Sequence, residues 1–164
     1  MDATRLGRLI DEHAAALILY ARQWCAAPED VVQDAFLTLM RQATDPEPVL
    51  PWLFRVVRNR AISAARSERR RQRRQASGAR DPWFFAAAER DLEAAELRDA
   101  LTALPLDQRE VIVAHVWGGL TFEQIGVLSG CSTSLCYRHY TAGLAALRER
   151  MGGPPCPTKP PTRN

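Results

Sequence analysis

The sequence predicts an all-α chain of two small helical domains joined by a linker, and three observations carry that prediction. Apolar residues recur at spacings of three and four along most of the 164 residues, the period of a helix with one buried stripe. Proline and glycine clusters, among them ATDPEPVLP at 43–51 and Gly118-Gly119, cut this pattern into pieces of helix length. A polar, glycine-containing stretch, QASGARD, divides the pieces into two groups. The expected organisation is a helical bundle over 1–75, a linker over 76–91, a helix-turn-helix unit over 92–151 and a disordered proline-rich tail over 152–164.

The first helix spans Arg5 to Cys25, with Leu6, Leu9, Ile10, Ala14, Leu17, Tyr20, Ala21 and Trp24 at helical spacing. Pro28, Glu29 and Asp30 start the second, because proline is tolerated in a first turn and carboxylates face the positive end of the helix dipole. This helix runs to about Gln42 and buries Val32, Ala35, Phe36 and Leu39, which leaves Val31, Gln33, Asp34, Leu37 and Arg41 for a partner surface or for solvent. The proline-rich stretch 43–51 is read as an ordered turn or loop.

A third helix from Pro51 to Arg74 places Leu53, Val56, Val57, Ala61 and Ala64 on one face. Its other face carries Arg55, Arg58, Asn59, Arg66, Arg69 and Arg70. Nine arginines against Glu68 alone give this segment +8 in a chain whose total is +3, so the remainder is net negative. Charge of one sign on one amphipathic helix reads as a surface for phosphate, since each neutralised phosphate releases condensed counterions. A solvated helix face is the other reading of the same charges.

In the second unit a helix from Glu89 ends at Pro105, and the next, Leu106 to Trp117, has Val111, Ile112, Val113 and Val116 as core. Thr121 and Gln124 fit a capping box for a short helix that turns Phe122, Ile125 and Leu128 inward. Gly130 turns the chain, and Ser132 or Thr133 caps a last helix to about Met151 with Cys136, Tyr140, Gly143, Leu144 and Leu147 inside. Short helix, glycine turn and capped helix form a helix-turn-helix pattern, whose second helix presents Ser134, Tyr137, Arg138, Thr141 and Arg148 outward. Hydroxyls and arginines are the residue types that reach phosphates and base edges. The aromatics Trp83-Phe84-Phe85 in the linker either staple back onto a domain or bind a partner.

Other classes find no footing. No apolar run approaches the length of a signal peptide or membrane span, so a cytoplasmic protein is expected. Cys25, Cys131, Cys136 and Cys156 form no C-x-x-C pair, and the histidines complete no ligand spacing. Cys25 and Cys136 fall at apolar positions as small core residues. No glycine-rich phosphate loop or nucleophile arrangement is assembled, so neither an enzyme nor a cofactor is expected.

Three stretches in order resemble the extracytoplasmic-function sigma factors, two-domain members of the sigma-70 class. Glu29 to Leu37 (EDVVQDAFL) is similar to region 2.2, which docks on the clamp of the RNA polymerase β′ subunit. Trp52 to Ile62 (WLFRVVRNRAI) and the arginines after it resemble regions 2.3 and 2.4, which open and read the minus-ten element. Leu104-Pro105, Gln108 to Val111 and Gly119 to Gly126 look like region 4, which reads the minus-thirty-five element.

The resemblance implies a region 2-like bundle and a region 4-like helix-turn-helix in a promoter-specificity subunit. Its partners would be core polymerase (β′ clamp and β flap), promoter DNA and, as a candidate, an anti-sigma factor. Asp30, Val31, Gln33, Asp34, Leu37 and Arg41 would meet polymerase. Arg55, Arg58, Asn59, Ile62, Ser63, Arg66, Arg69 and Arg70 would meet the minus-ten strand, with 43–51 as the loop beside a flipped-out base. Thr121, Ser132, Thr133, Ser134, Tyr137, Arg138, Thr141 and Arg148 would meet the minus-thirty-five duplex. The last helix departs from the family's usual pattern at Leu135 and Thr141 to Gly143, leaving Arg138 and Arg148 as its main cations. A helix-turn-helix regulator that never engages polymerase is the alternative.

Overall fold

The computed structural model describes residues 2–75 and 92–152, and among them every regular element is helical. The expected linker, with Trp83-Phe84-Phe85, and the tail beyond Gly152 lie outside the described residues.

Helix α1 (Ala3–Ala21) starts at Asp2, whose carboxylate accepts from the Arg5 backbone N–H at 2.7 Å. Helix α2 (Pro28–Met40) has proline in its first turn followed by Glu29 and Asp30. Helix α3 (Val49–Gln75) begins two residues before Pro51, so only the residues before Val49 remain irregular. Pro51 falls in the first turn, where its missing N–H would have had no helical partner. At 27 residues, α3 is about 40 Å long.

The three helices pack through Leu17, Tyr20 and Ala21, then Val31, Val32, Ala35, Phe36 and Leu39, then Leu53, Phe54, Val57 and Ala61. Three expectations are corrected here. Val31 is buried, because α2 touches both α1 and α3 and its apolar stripe is wider than one row. Val56 is only half-buried and Ala64 is exposed. Among the described side chains none beyond Ala61 in α3 is buried: the helix runs out past the cover of α1 and α2, so its second half meets no core.

In the second group α4 (Leu92–Thr102) and α5 (Leu106–Ile112) lie against α7 (Thr133–Arg150), with Ala100, Leu101, Leu104, Ile112 and Leu147 buried between them. After α5 the chain widens into a π-helical turn, Val113–Trp117, where the Gly118 N–H donates to the Val113 carbonyl five residues back. The wider turn rotates the following side chains, so Val116, expected in the core, is 51% exposed. Helix α6 (Phe122–Ser129) carries the capping box, with Gln124 N–H donating to Thr121 Oγ1 at 3.2 Å and Thr121 N–H to Gln124 Oε1 at 2.9 Å. Gly130 ends it at φ +77°, a left-handed turn that suits glycine, and Ser132 caps α7.

The two groups share one core. Val111, Val113, Ala114, Leu120 and Ile125 are continuous with the buried residues of α1 and α3. Contact is made by α1 on the π-helical turn and by α3 on α6. Gly118 sits where Phe54 approaches: a Cβ there would lie 2.5 Å from both the Phe54 ring and the Ala114 carbonyl. We therefore expect Gly118→Ala to destabilise the chain by about 1–3 kcal/mol through overpacking, read as a lower urea midpoint; an unchanged midpoint would mean that Phe54 has room to withdraw.

Candidate nucleic-acid interface

The outer face of α3 is the most basic surface on the described residues. Arg55, Asn59, Ser63, Arg66, Arg69 and Arg70 are exposed there, while Ile62 is half-buried at the edge. Arg66, Arg69, Arg70 and Arg73 line a shallow groove of about 250 Å³ along the part of the helix that has left the bundle. Guanidiniums in that position remain hydrated and available to phosphate. The loop before α3 is tied down by Arg5, whose Nη1 donates to Asp45 Oδ2 at 2.7 Å.

Arg58 stands apart from that set. Its Nε donates to Glu110 Oε1 at 2.7 Å, and the same oxygen accepts from the Tyr20 hydroxyl at 2.7 Å. The Glu110 side chain is only 5% exposed and that of Arg58 23%. Burial, reinforced by the Glu110 carboxylate, pushes the Tyr20 phenol well up, so it stays a neutral donor. Burial works against the Arg58 cation, but its bond to Glu110 and their attraction outweigh this and raise its pKa. Aromatic rings close the site: Tyr20 lies edge-on to Trp24 and to Phe54, with centroids 4.9 Å apart in each pair, and the Arg58 guanidinium sits 5.8 Å from the Trp24 ring centre.

On α2, Asp30, Gln33, Asp34, Leu37 and Arg41 are exposed, whereas Val31 faces inward. Asp34 is already engaged: Arg60 Nη1 donates to its Oδ2 at 2.9 Å while Nη2 donates to Thr38 Oγ1 at 2.7 Å. This bidentate link ties the acidic edge of α2 to the basic helix. Leu37 and Met40 are exposed apolar side chains, and together with Leu6, Ile10, Val32 and Phe36 they line an apolar groove between α1 and α2 of about 300 Å³.

On the second unit Thr121, Ser132, Thr133, Ser134, Tyr137, Arg138, Thr141 and Arg148 are all exposed, and all but Thr121 and Ser132 lie on α7. Thr121 and Ser132 serve as caps, and the Thr141 hydroxyl is within bonding distance of the Tyr137 and Arg138 carbonyls, 3.1 Å from each. Arg138, Arg148 and Tyr137 are therefore the reaching groups. His115, Phe122, Tyr137 and Tyr140 form an aromatic cluster in which His115 stacks on Phe122 at 4.4 Å and Phe122 meets Tyr140 at 5.3 Å. This cluster sets the angle between α6 and α7.

Sequence reasoning missed Glu110 and Arg60 as members of the site. Glu110 lies three and four residues before Val113 and Ala114, on the same inward face, which was the available signal. Two thiols sit in the core, where burial pushes Cys25 up to about 11 and raises Cys136 as well. Among the described residues no cluster of His, Cys, Asp and Glu fits a metal ion, and no helix is long and apolar enough to cross a membrane.

Comparison with known proteins places this geometry. Residues 9–71 match the family model for sigma-70 region 2, and residues 94–147 the model for sigma-70 region 4. The RNA polymerase sigma factor CarQ of Myxococcus xanthus is 35% identical over 134 residues, 77% of this chain and 76% of that protein. The ECF RNA polymerase sigma factor SigL of Mycobacterium tuberculosis is 31% identical over 160 residues, covering 90% of this chain and 89% of SigL. A probable RNA polymerase sigma factor, RfaY of Xanthomonas campestris pv. campestris, is 31% identical over 83% of this chain, which spans only 37% of that longer protein.

Among solved structures, CnrH in complex with the cytosolic domain of CnrY is similar at a TM-score of 0.65 and 25% identity, covering 92% of this chain and 90% of that one. The sigma factor RpoE in complex with the anti-sigma factor NepR, from Bartonella quintana, shares the fold at a TM-score of 0.64 and 21% identity, covering 89% and 95%. Two family models in the expected order, with CarQ and SigL matched along most of their length, establish that the chain belongs to the sigma-70 family, in its extracytoplasmic-function (ECF) group of RNA polymerase sigma factors.

Proposed function

We propose that this sigma factor gives core RNA polymerase its promoter address through three separate surfaces, and that it performs no bond chemistry of its own. The observation that carries the reading is the stretch of α3 beyond Ala61, arginine-rich with no buried side chain among those described, next to an α2 edge that is acidic and apolar. One surface suits phosphate and its neighbour suits a protein.

In this scheme Asp30, Gln33, Asp34, Leu37 and Arg41 contact the polymerase clamp, while Val31 supports them from inside. Arg55, Asn59, Arg66, Arg69 and Arg70 grip the separated minus-ten strand, with Ile62 and Ser63 beside them and Arg58 joining once it is free of Glu110. Unstacking a base costs a few kcal/mol, and arginines holding the exposed strand offset that cost, so melting is a consequence of binding. Arg138, Arg148 and Tyr137 reach the minus-thirty-five duplex from α7, with Ser134 and Thr133 near its N-terminal end, where backbone N–H groups also favour phosphate. The β flap and an anti-sigma factor are further partners by analogy with the family.

Run-off transcription with purified core polymerase on promoter DNA tests the whole scheme: initiation should depend on this chain, whereas duplex binding without initiation would favour a regulator that works apart from polymerase. Asp34→Arg should weaken core binding at least tenfold in a pull-down. The fold should survive, because the exposed pair with Arg60 contributes at most about 1 kcal/mol; wild-type core affinity would reject α2 as the docking edge. Arg138→Ala should cost roughly 1–3 kcal/mol of upstream duplex binding if its guanidinium is bidentate to a guanine, and an unchanged footprint would remove it from the contact set.

A further inference from the structure

We propose that Glu110 is a latch: its carboxylate sits on Arg58 in the place of a DNA phosphate and holds the two helical groups closed until the single strand displaces it. The inference rests on the reading that α3 grips the separated strand.

Four observations lead there. Arg58 lies one turn from Arg55 on the phosphate-facing side of α3, yet its guanidinium is bound by a residue 52 positions away in the other helical group. Glu110 is almost fully out of water and takes both its hydrogen bonds, from Arg58 and Tyr20, across the junction. A carboxylate and a phosphate oxygen present the same charge and acceptor character to a guanidinium, so the two compete for one site. Finally, closure sets α6 across from the proline loop. Pro46, Glu47, Pro48, Trp52 and Arg55 face Glu123, Gln124 and Val127 over a cleft of about 500 Å³, whose two carboxylates disfavour a nucleic-acid strand.

The coupling follows from the cost of stranding a charge. A phosphate cannot take Arg58 while Glu110 stays buried with only the neutral Tyr20 hydroxyl beside it, because a buried carboxylate without a cation is strongly disfavoured. Glu110 must reach water, which requires the junction of Tyr20, Phe54 and Gly118 to part. Single-stranded DNA therefore binds the open form better than the closed one, and by linkage the closed form lowers the apparent affinity for DNA. Release frees Arg58 to join Arg55, Arg66, Arg69 and Arg70, which are exposed already in the closed chain.

The test uses the full chain without polymerase. Small-angle scattering reads the radius of gyration, and fluorescence anisotropy reads affinity for a labelled 20-nucleotide oligothymidine. Glu110→Ala should enlarge the radius of gyration and tighten oligothymidine binding at least fivefold. Tyr20→Phe, which removes one of the two hydrogen bonds and keeps the ring, should move both readouts the same way by less, and carries the test should Glu110→Ala fail to fold. Saturating oligothymidine should enlarge the wild-type chain to the same extent. A compact Glu110→Ala chain, or an expanded one with wild-type oligothymidine affinity, overturns the latch. Neither readout involves polymerase, so failed run-off transcription with both effects present tells against the docking scheme and leaves the latch standing.

Discussion

The junction between the two helical groups depends on one carboxylate that has been taken out of water. Desolvating Glu110 costs several kcal/mol, and attraction to Arg58 with a hydrogen bond from neutral Tyr20 offsets that cost only while all three stay in register. Apolar packing could hold helices together in many orientations, since burial of surface has no direction. A shared carboxylate oxygen with two donors at 2.7 Å admits very few, so it fixes how α5 and the π-helical turn meet α1 and α3. Phe54 against Gly118 and the edge-on rings around Tyr20 then fill the space that this geometry leaves.

The same economy governs the basic helix. Half of α3 is used as structure, through Leu53, Phe54, Val57 and Ala61, and half projects with its arginines in water. Two arginines at the border of these halves are turned inward onto carboxylates from elsewhere: Arg58 onto Glu110 and Arg60 onto Asp34. Arg60 is the milder case, because both partners are well exposed and water screens them. Arg58 is the stronger, because its partner has no water to return to. A helix that must carry many like charges thus neutralises the ones nearest the core and keeps most of the others in water, which limits self-repulsion.

In the second unit α7 is held by contacts of another kind. The capping box at Thr121, the left-handed turn at Gly130 and the serine cap at Ser132 fix the chain path, while His115, Phe122 and Tyr140 fix the angle between α6 and α7. Arg138, Arg148 and Tyr137 remain on the exposed face, and Tyr137 stays 53% exposed although its ring meets Phe122. A rigid frame with a few long side chains is what duplex readout requires, since contacts to base edges lose their value when the helix can tilt.

By itself the amino-acid sequence determined the helices, their caps and the faces they show, because these follow from spacing and from residues acting on neighbours within one or two turns: Thr121 with Gln124, Pro28 before Glu29 and Asp30, and the arginine rows of α3. Val31, Ala64 and Val116 escaped that logic, since a helix touched on two sides buries a wider stripe, a helix that outruns its partners buries none, and a π-helical turn shifts the face. Only the tertiary structure decided that Glu110 closes on Arg58 and Tyr20, and that the second unit shares a core with the first. Those partners lie 52 and 90 residues away, and nothing in local periodicity states which of many arginines a buried carboxylate will meet. That choice is made by packing, where shape brings the groups together and the cost of an unpaired charge forbids the alternatives.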